Sequence, residues 1–343
     1  MRIALMTNLD TIPRIHLATL PTPLEEAPRL AHSIGLSRLL IKRDDLTGLA
    51  GGGSKARKLE YEFTEIVRGG YDLVLTAGGI QSNHARMTAA AARKLGLEIK
   101  LVLGGPNFTL PAGNLLLDAV FDAEVRYLVD NDANDHLQVA MEQWAVELAA
   151  SGHKPFIIPV GGSTAMGALG YVRAMHELSK QLTDDRVQIV IGVGSCATLA
   201  GTLLGARLFL PQARVIGISV SRTVAEIKSR TAGLVHACAA LIDHPGDFSE
   251  TDIESYADYY DEYGRITPAG TEAIRKSALL EGLLLDPIYT GKVMAGVIDL
   301  AARDILDRDL PVVFIHTGGL PIIFSFAHEL GGALRCTRVP PAD

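Results

Sequence analysis

Val187-Gln188-Ile189-Val190-Ile191-Gly192-Val193-Gly194-Ser195-Cys196-Ala197-Thr198 is an apolar, β-branched run that passes through two glycines and opens a helical pattern. A strand apolar on both faces belongs in a parallel sheet covered by helices. The same kind of run recurs at Leu73 to Thr76, Ile99 to Leu103, Val125 to Val129, Phe156 to Ile158, Val215 to Val220 and Val312 to Ile315. Amphipathic stretches alternate with them at Ala85 to Leu95, Asp135 to Ala150, Ala165 to Leu182, Leu199 to Leu208 and Gly270 to Glu281. The fold class is therefore α/β. Glycine loops at 51–53, 78–79, 161–162, 192–194 and 318–319 mostly follow a strand, which is where open α/β sheets bind their ligands.

A chain of 343 residues exceeds what one hydrophobic core usually serves, so two domains with a ligand cleft between them are expected. The net charge of -7 has no basic stripe, which points away from nucleic acid and toward a small-molecule partner. The N-terminus turns polar at Asn8 and Asp10, too soon for the apolar core of a signal peptide. No run approaches the roughly 20 apolar residues that span a bilayer. Cys196, Cys238 and Cys336 form neither a disulfide framework nor a zinc pattern and read as buried free thiols in a reducing cytoplasm. The histidines show no HExxH-like spacing, so no catalytic metal is expected.

Four motifs carry chemistry. In the first, Lys42-Arg43-Asp44-Asp45-Leu46 precedes Gly51-Gly52-Gly53-Ser54-Lys55-Ala56-Arg57-Lys58. The glycines let backbone approach a flat ligand, and Ser54 is placed to cap a helix starting near Lys55. The positive end of that helix lowers the pKa of Lys55, which suits an amine that must form a Schiff base. Lys58 is the rival nucleophile, and a solvated cluster of basic residues is the alternative reading. The second motif, Thr76-Ala77-Gly78-Gly79-Ile80-Gln81-Ser82-Asn83-His84, runs from a strand into a helix whose free amides form a carboxylate receptor. Ser82 or Asn83 as a plain N-cap explains the same residues.

The third motif is the Gly192 loop itself, whose amides can cradle a phosphate. Gly192, Gly194 and Ala197 also match the dinucleotide pattern G-x-G-x-x-A. The following strand ends in Ser219, Ser221 and Arg222 without the acidic residue an NAD ribose needs, so a nucleotide reading would require NADP on Arg222. The fourth is a scattered set, Tyr263-Gly264, Asp286-Pro287-Ile288-Tyr289-Thr290-Gly291-Lys292 and His316-Thr317-Gly318-Gly319, at loop positions where catalytic groups tend to sit.

In order, these motifs resemble the tryptophan-synthase-β type of pyridoxal phosphate (PLP) fold, fold type II, and within it the D-cysteine desulfhydrase / 1-aminocyclopropane-1-carboxylate (ACC) deaminase family. The most specific stretches are Lys42 to Glu60, Gly78 to Arg86, Pro159 to Tyr171, Val220 to Lys228, Leu285 to Gly291 and His316 to Gly319. The resemblance implies two open twisted parallel-sheet domains covered by helices, with the active site between them. A large PLP domain of residues 1–58 and 169–343 would hold an inserted small domain of residues 59–168. By resemblance Lys55 binds PLP and later moves the α-proton, and Ser82, Asn83 and His84 hold the substrate carboxylate, Asn83 also near the PLP hydroxyl. Gly194, Ser195, Cys196, Ala197 and Thr198 would hold the phosphate, Tyr263 and Tyr289 flank the substrate, and Thr317 face the pyridine nitrogen. Family members are usually homodimers.

Two positions choose within the family. ACC deaminases carry Glu and Leu where this chain has Thr290 and Thr317. A hydroxyl can leave the pyridine nitrogen neutral, which suffices when a good leaving group sits on Cβ. The implied reaction is β-elimination from D-cysteine to pyruvate, hydrogen sulfide and ammonia. The chain departs from the family at Ser54, Ala197 and Arg265. A guanidinium near the substrate would favour the sulfonate of L-cysteate, giving sulfite, whereas a solvent-facing Arg265 would not. L-cysteate sulfo-lyase is thus the alternative lyase, ahead of ACC deaminase, and an NADP-dependent oxidoreductase is the alternative from another class.

Overall fold

The computed structural model describes residues 9–334 apart from 107, 109, 130–132 and 246. Cys336 and the first eight residues lie outside the described residues, while Cys196 and Cys238 are buried free thiols. The strands are β1 Leu24–Glu26, β2 Leu39–Lys42, β3 Leu73–Gly79, β4 Glu98–Gly105, β5 Glu124–Val129, β6 Pro155–Ile158, β7 Gln188–Val193, β8 Arg214–Ser219, β9 Glu254–Tyr256 and β10 Val312–Ile315. The longer helices are α1 Lys55–Arg68, α2 Asn83–Lys94, α3 Gly113–Val120, α4 Asn134–Ala150, α5 Ala165–Ser179, α6 Ala197–Phe209, α7 Val224–Ala240, α8 Pro268–Glu281 and α9 Thr290–Ala302. No helix among the described residues is long and apolar enough to cross a membrane.

Two sheets form, ordered β1-β2-β10-β7-β8-β9 and β5-β4-β3-β6. All pairings are parallel except β1 with β2, in register Leu24 to Lys42. The two parallel-rich sheets are those expected from the sequence, with one antiparallel edge added. Its strand, Leu-Glu-Glu, is too short and too polar to be read as one. Strands β2 and β9 also escaped the sequence reading, β9 being a three-residue Glu-Ser-Tyr segment with no apolar run.

Alternation along each inner strand explains the continuous apolar runs. In β7, Ile189 and Ile191 pack with Tyr171, Met175 and Leu203 on one face, while Val190 packs with Ile216, Val293 and Phe314 on the other. In β3, Val74 faces Ala89 and Leu101, while Leu73 and Leu75 face Met141 and Trp144. Each such buried side chain contributes about 1.5–3 kcal/mol.

Helix α1 is held where the two sheets meet. Gly170 of α5 lies so close to it that a Cβ there would come within 2.3 Å of the Arg57 carbonyl oxygen. Beneath that crossing runs a buried ionic network. Arg57 donates to both Asp44 oxygens at 2.9 and 2.8 Å and to Glu177 Oε1 at 2.8 Å. Lys42 Nζ also reaches Glu177 Oε1 at 2.5 Å, and the Tyr171 hydroxyl donates to Asp44 Oδ2 at 2.6 Å. Burial pushes the Asp44 carboxyl up, but the Arg57 guanidinium outweighs it and holds the group below its usual range. The Lys42-to-Leu46 motif is therefore the foundation of α1.

Candidate active site

The carboxyl ends of β3, β7 and β10 converge on a cavity of about 270 Å³, lined among others by Lys55, Ser82, Ser195, Tyr263, Tyr289 and Thr317. Lys55 enters it from the first turn of α1. The preceding loop is tight rather than open to a ligand. Gly52 has φ +79, and a Cβ there would lie 1.8 Å from the Asp45 carbonyl oxygen. None of the three consecutive glycines lines the cavity, so they serve the turn itself. Ser54 occupies the N-cap position, but its side chain caps no helix amide. Its backbone N–H donates to the Thr317 carbonyl at 2.9 Å, tying the lysine loop to the end of β10. Burial, more than the helix end invoked from sequence, lowers the Lys55 pKa to about 8, against an upward pull from the Glu62 carboxylate.

Ser82 caps α2, accepting from the Ala85 amide at 3.2 Å, and its hydroxyl proton remains free to donate into the cavity. The Asn83 and His84 amides belong to the first turn of α2, where no carbonyl one turn back can serve them. The His84 ring is engaged elsewhere. Thr76 Oγ1 donates to the Ile158 carbonyl at 2.8 Å, so the 2.9 Å contact with His84 requires Nε2–H as donor. Burial and the neighbouring lysines hold this imidazole neutral. His84 can thus offer a carboxylate its backbone amide, not a ring charge.

Around Gly194 to Thr198, Cys196 takes φ +77 at the N-cap of α6 and supplies no side-chain cap. The first amides of α6 are therefore left for an anion. The side chains of Cys196 and Ala197 are packed in the core, so these residues offer backbone alone. Two basic side chains flank the loop. Arg222 Nε donates to the Gly194 carbonyl at 2.8 Å, and Lys58 Nζ donates at 2.7 Å to the Gly161 carbonyl, which also faces Ser195 Oγ at 3.4 Å. Lys58, the rival nucleophile by sequence, is thereby turned from the Lys55 position toward the anion cradle.

Opposite the lysine, the Tyr263 and Tyr289 hydroxyls meet at 2.8 Å. Asp286 fixes Tyr289 by accepting from its amide at 2.7 Å, and Thr290 Oγ1 donates to the same carboxylate at 2.7 Å. Thr290, read from sequence as a chemical discriminator, thus braces the Tyr289 turn. Arg265 is not brought into this cavity. It is exposed, pairs with Glu262 at 2.6 Å, and lines a neighbouring cavity of about 430 Å³.

A family model described as pyridoxal-phosphate dependent enzyme matches residues 15–318. The chain belongs to that family. D-cysteine desulfhydrase of Salmonella choleraesuis is 41% identical over 330 residues, covering 93% of this chain and 98% of the relative. The protein of the same name in Klebsiella pneumoniae subsp. pneumoniae is 41% identical over 333 residues, covering 95% and 99%. A crystal structure described as an ACC deaminase homologue superposes with TM-score 0.89 at 38% identity, covering 97% of this chain and all of that one. Threonine deaminase isoform 2 from Solanum lycopersicum, 17% identical with TM-score 0.69 over 98% of this chain and 89% of its own, shares the fold.

The family's cofactor, pyridoxal phosphate, suits the residues present. A dianionic phosphate matches an uncapped helix start flanked by Lys58 and Arg222, and the aldehyde needs a primary amine with a lowered pKa. Sequence reasoning missed the parts played by Lys58, Arg222 and Glu62. Glu62 is buried beside both lysines, with one oxygen accepting from Thr164 Oγ1 at 2.9 Å and the other without a hydrogen-bond partner among the described residues. Burial, against the lowering pull of Lys58, raises its pKa to about 7. The spacing of Lys55, Lys58 and Glu62, which puts them on one helical face, was the available signal.

Proposed function

We propose that this chain is a D-cysteine desulfhydrase, converting D-cysteine and water to pyruvate, hydrogen sulfide and ammonia. The observation that carries the reading is the 41% identity to a D-cysteine desulfhydrase across 98% of that relative. When bound, pyridoxal phosphate supplies an electron sink that stabilises negative charge at the substrate Cα. Lys55 anchors the cofactor and, once released, takes the Cα proton. A pKa of about 8 leaves part of the amine unprotonated near neutral pH, as a general base requires. Ser82 and the Asn83 and His84 amides hold the carboxylate. The backbone of Gly194 to Thr198 holds the phosphate, and Asn83 and Thr317 contact the ring. Burial and the adjacent Tyr263 raise the Tyr289 pKa well above 10, so its hydroxyl keeps its proton until the leaving sulfur needs it.

The reading includes a large domain of residues 1–58 and 169–343 around a small one of 59–168, a homodimer and a cytoplasmic location. The pairing of Arg265 with Glu262 disfavours a sulfonate site, so L-cysteine sulfonate is not the preferred substrate. A panel of D- and L-cysteine, L-cysteate, β-chloroalanine and ACC, scored for sulfide, sulfite, pyruvate and ketobutyrate, tests the assignment. Sulfide and pyruvate from D-cysteine are expected. Faster release of sulfite from cysteate, or of ketobutyrate from ACC, overturns it. Light scattering at the single-chain mass overturns the dimer.

A further inference from the structure

Arg86 is fully buried, and no carboxylate lies within ion-pair distance of its guanidinium among the described residues. Such a placement is costly unless the group's hydrogen bonds do something specific. Its bonds go to Asn114 Oδ1 at 2.9 Å, Asn83 Oδ1 at 3.3 Å and the Gly52 carbonyl at 2.8 Å. Burial lowers its pKa to about 10, with Asp118 drawing it back up.

The polarity of this network follows from groups that have only one role. A guanidinium only donates, so the Asn114 and Asn83 atoms facing it are carbonyl oxygens. The Gln81 backbone carbonyl only accepts, so the Asn114 atom 2.8 Å from it is the amide nitrogen. The same nitrogen donates to Asn83 Oδ1 at 2.8 Å. Both independent routes make the inward atom of Asn83 its oxygen. Its NH2 points the other way and takes no hydrogen bond among the described residues, on a half-buried side chain between Ser82 and His84, which both line the cavity.

We propose that Arg86 and Asn114 are positioning residues that lock the Asn83 amide with its NH2 outward, committing that point of the site to an anionic oxygen of the cofactor or substrate. Arg86 also joins this donor to the Gly52 carbonyl, two residues before the Ser54-Lys55 helix start. The distance from Asn83 to the lysine loop is thereby held by one side chain. The inference rests on the pocket taking pyridoxal phosphate, not on which amino acid is consumed.

The test is Asn114→Asp. Its carboxylate pairs with Arg86 and so keeps the fold, but it cannot donate to Asn83 or Gln81, and facing an acceptor in place of the 2.8 Å donor Asn83 is expected to turn its NH2 inward against the longer 3.3 Å contact with Arg86. Pyridoxal phosphate titrated into the cofactor-free variant is expected to bind about tenfold more weakly, with a shifted visible band, because a donor to a charged oxygen is replaced by an acceptor. In an Asn83→Ala background the same substitution should change binding less than about twofold, as expected for residues acting through one another. Additive losses, or an unchanged affinity and band, overturn the proposal. Asn114→Ala, which removes the donor without adding charge, must show the same dependence on Asn83. A wild-type chain that binds no pyridoxal phosphate would instead overturn the cofactor reading.

Discussion

Helix α1 has two buried faces of opposite character. On one, Arg57 meets Asp44, Glu177 and Thr22, with every charge paired and hydrogen-bonded. On the other, Lys55, Lys58 and Glu62 share one carboxylate between two amines, and a Glu62 oxygen has no hydrogen-bond partner among the described residues. Arg57 and Asp44 remain charged, whereas the lysines and Glu62 are all pushed toward neutrality by burial. The satisfied face stabilises, and the unsatisfied face keeps its groups reactive, as expected where function is set against stability.

The largest effect separating the faces is expected for Lys55→Ala. Turnover should fall about 10⁴-fold, and borohydride reduction followed by peptide mass spectrometry should find no pyridoxyl adduct on α1. Its melting temperature without cofactor should not drop, because an unpaired buried amine is removed. A drop as large as that of Asp44→Asn would erase the distinction. That second variant leaves Arg57 with Glu177 as its one carboxylate partner and should cost up to about 3–5 kcal/mol in urea unfolding, while leaving the pH dependence of cofactor loading in place.

Loading itself sharpens the contrast. Only the unprotonated amine reacts, so the rate should climb about tenfold per pH unit at low pH and level off near the Lys55 value of about 8. Continued climbing toward pH 10.5 would mean that burial does not tune this lysine. The smallest effect belongs to Arg265→Ala, an exposed pair with Glu262, which should change kcat/KM for D-cysteine and L-cysteate less than about twofold. Loss of cysteate turnover alone would restore the sulfonate reading.

Much of the fold was legible because period and punctuation are local. The runs at Leu73, Ile99, Val125, Phe156, Val215 and Val312 all became strands, and the helices after Ser82 and Cys196 start where the glycine loops end. Lys55, Ser82, Ser195, Tyr263, Tyr289 and Thr317 were each singled out and line one cavity. Arg265 was singled out as a departure from the family pattern whose guanidinium would favour a sulfonate, but its side chain found Glu262 three residues away. Thr290 was read as chemistry because its partner Asp286 could not be seen to turn back onto it.

By itself the amino-acid order determined the alternation of strand, glycine turn and helix, the family, and the lysine at the helix start, since each is written in neighbouring residues. Only the tertiary structure decided which charges on α1 are satisfied and which amide end of Asn83 faces outward. Those outcomes depend on Glu177, Gly161, Thr164 and Asn114, which lie tens to more than a hundred residues away along the chain and become neighbours only when the sheets close around the helix.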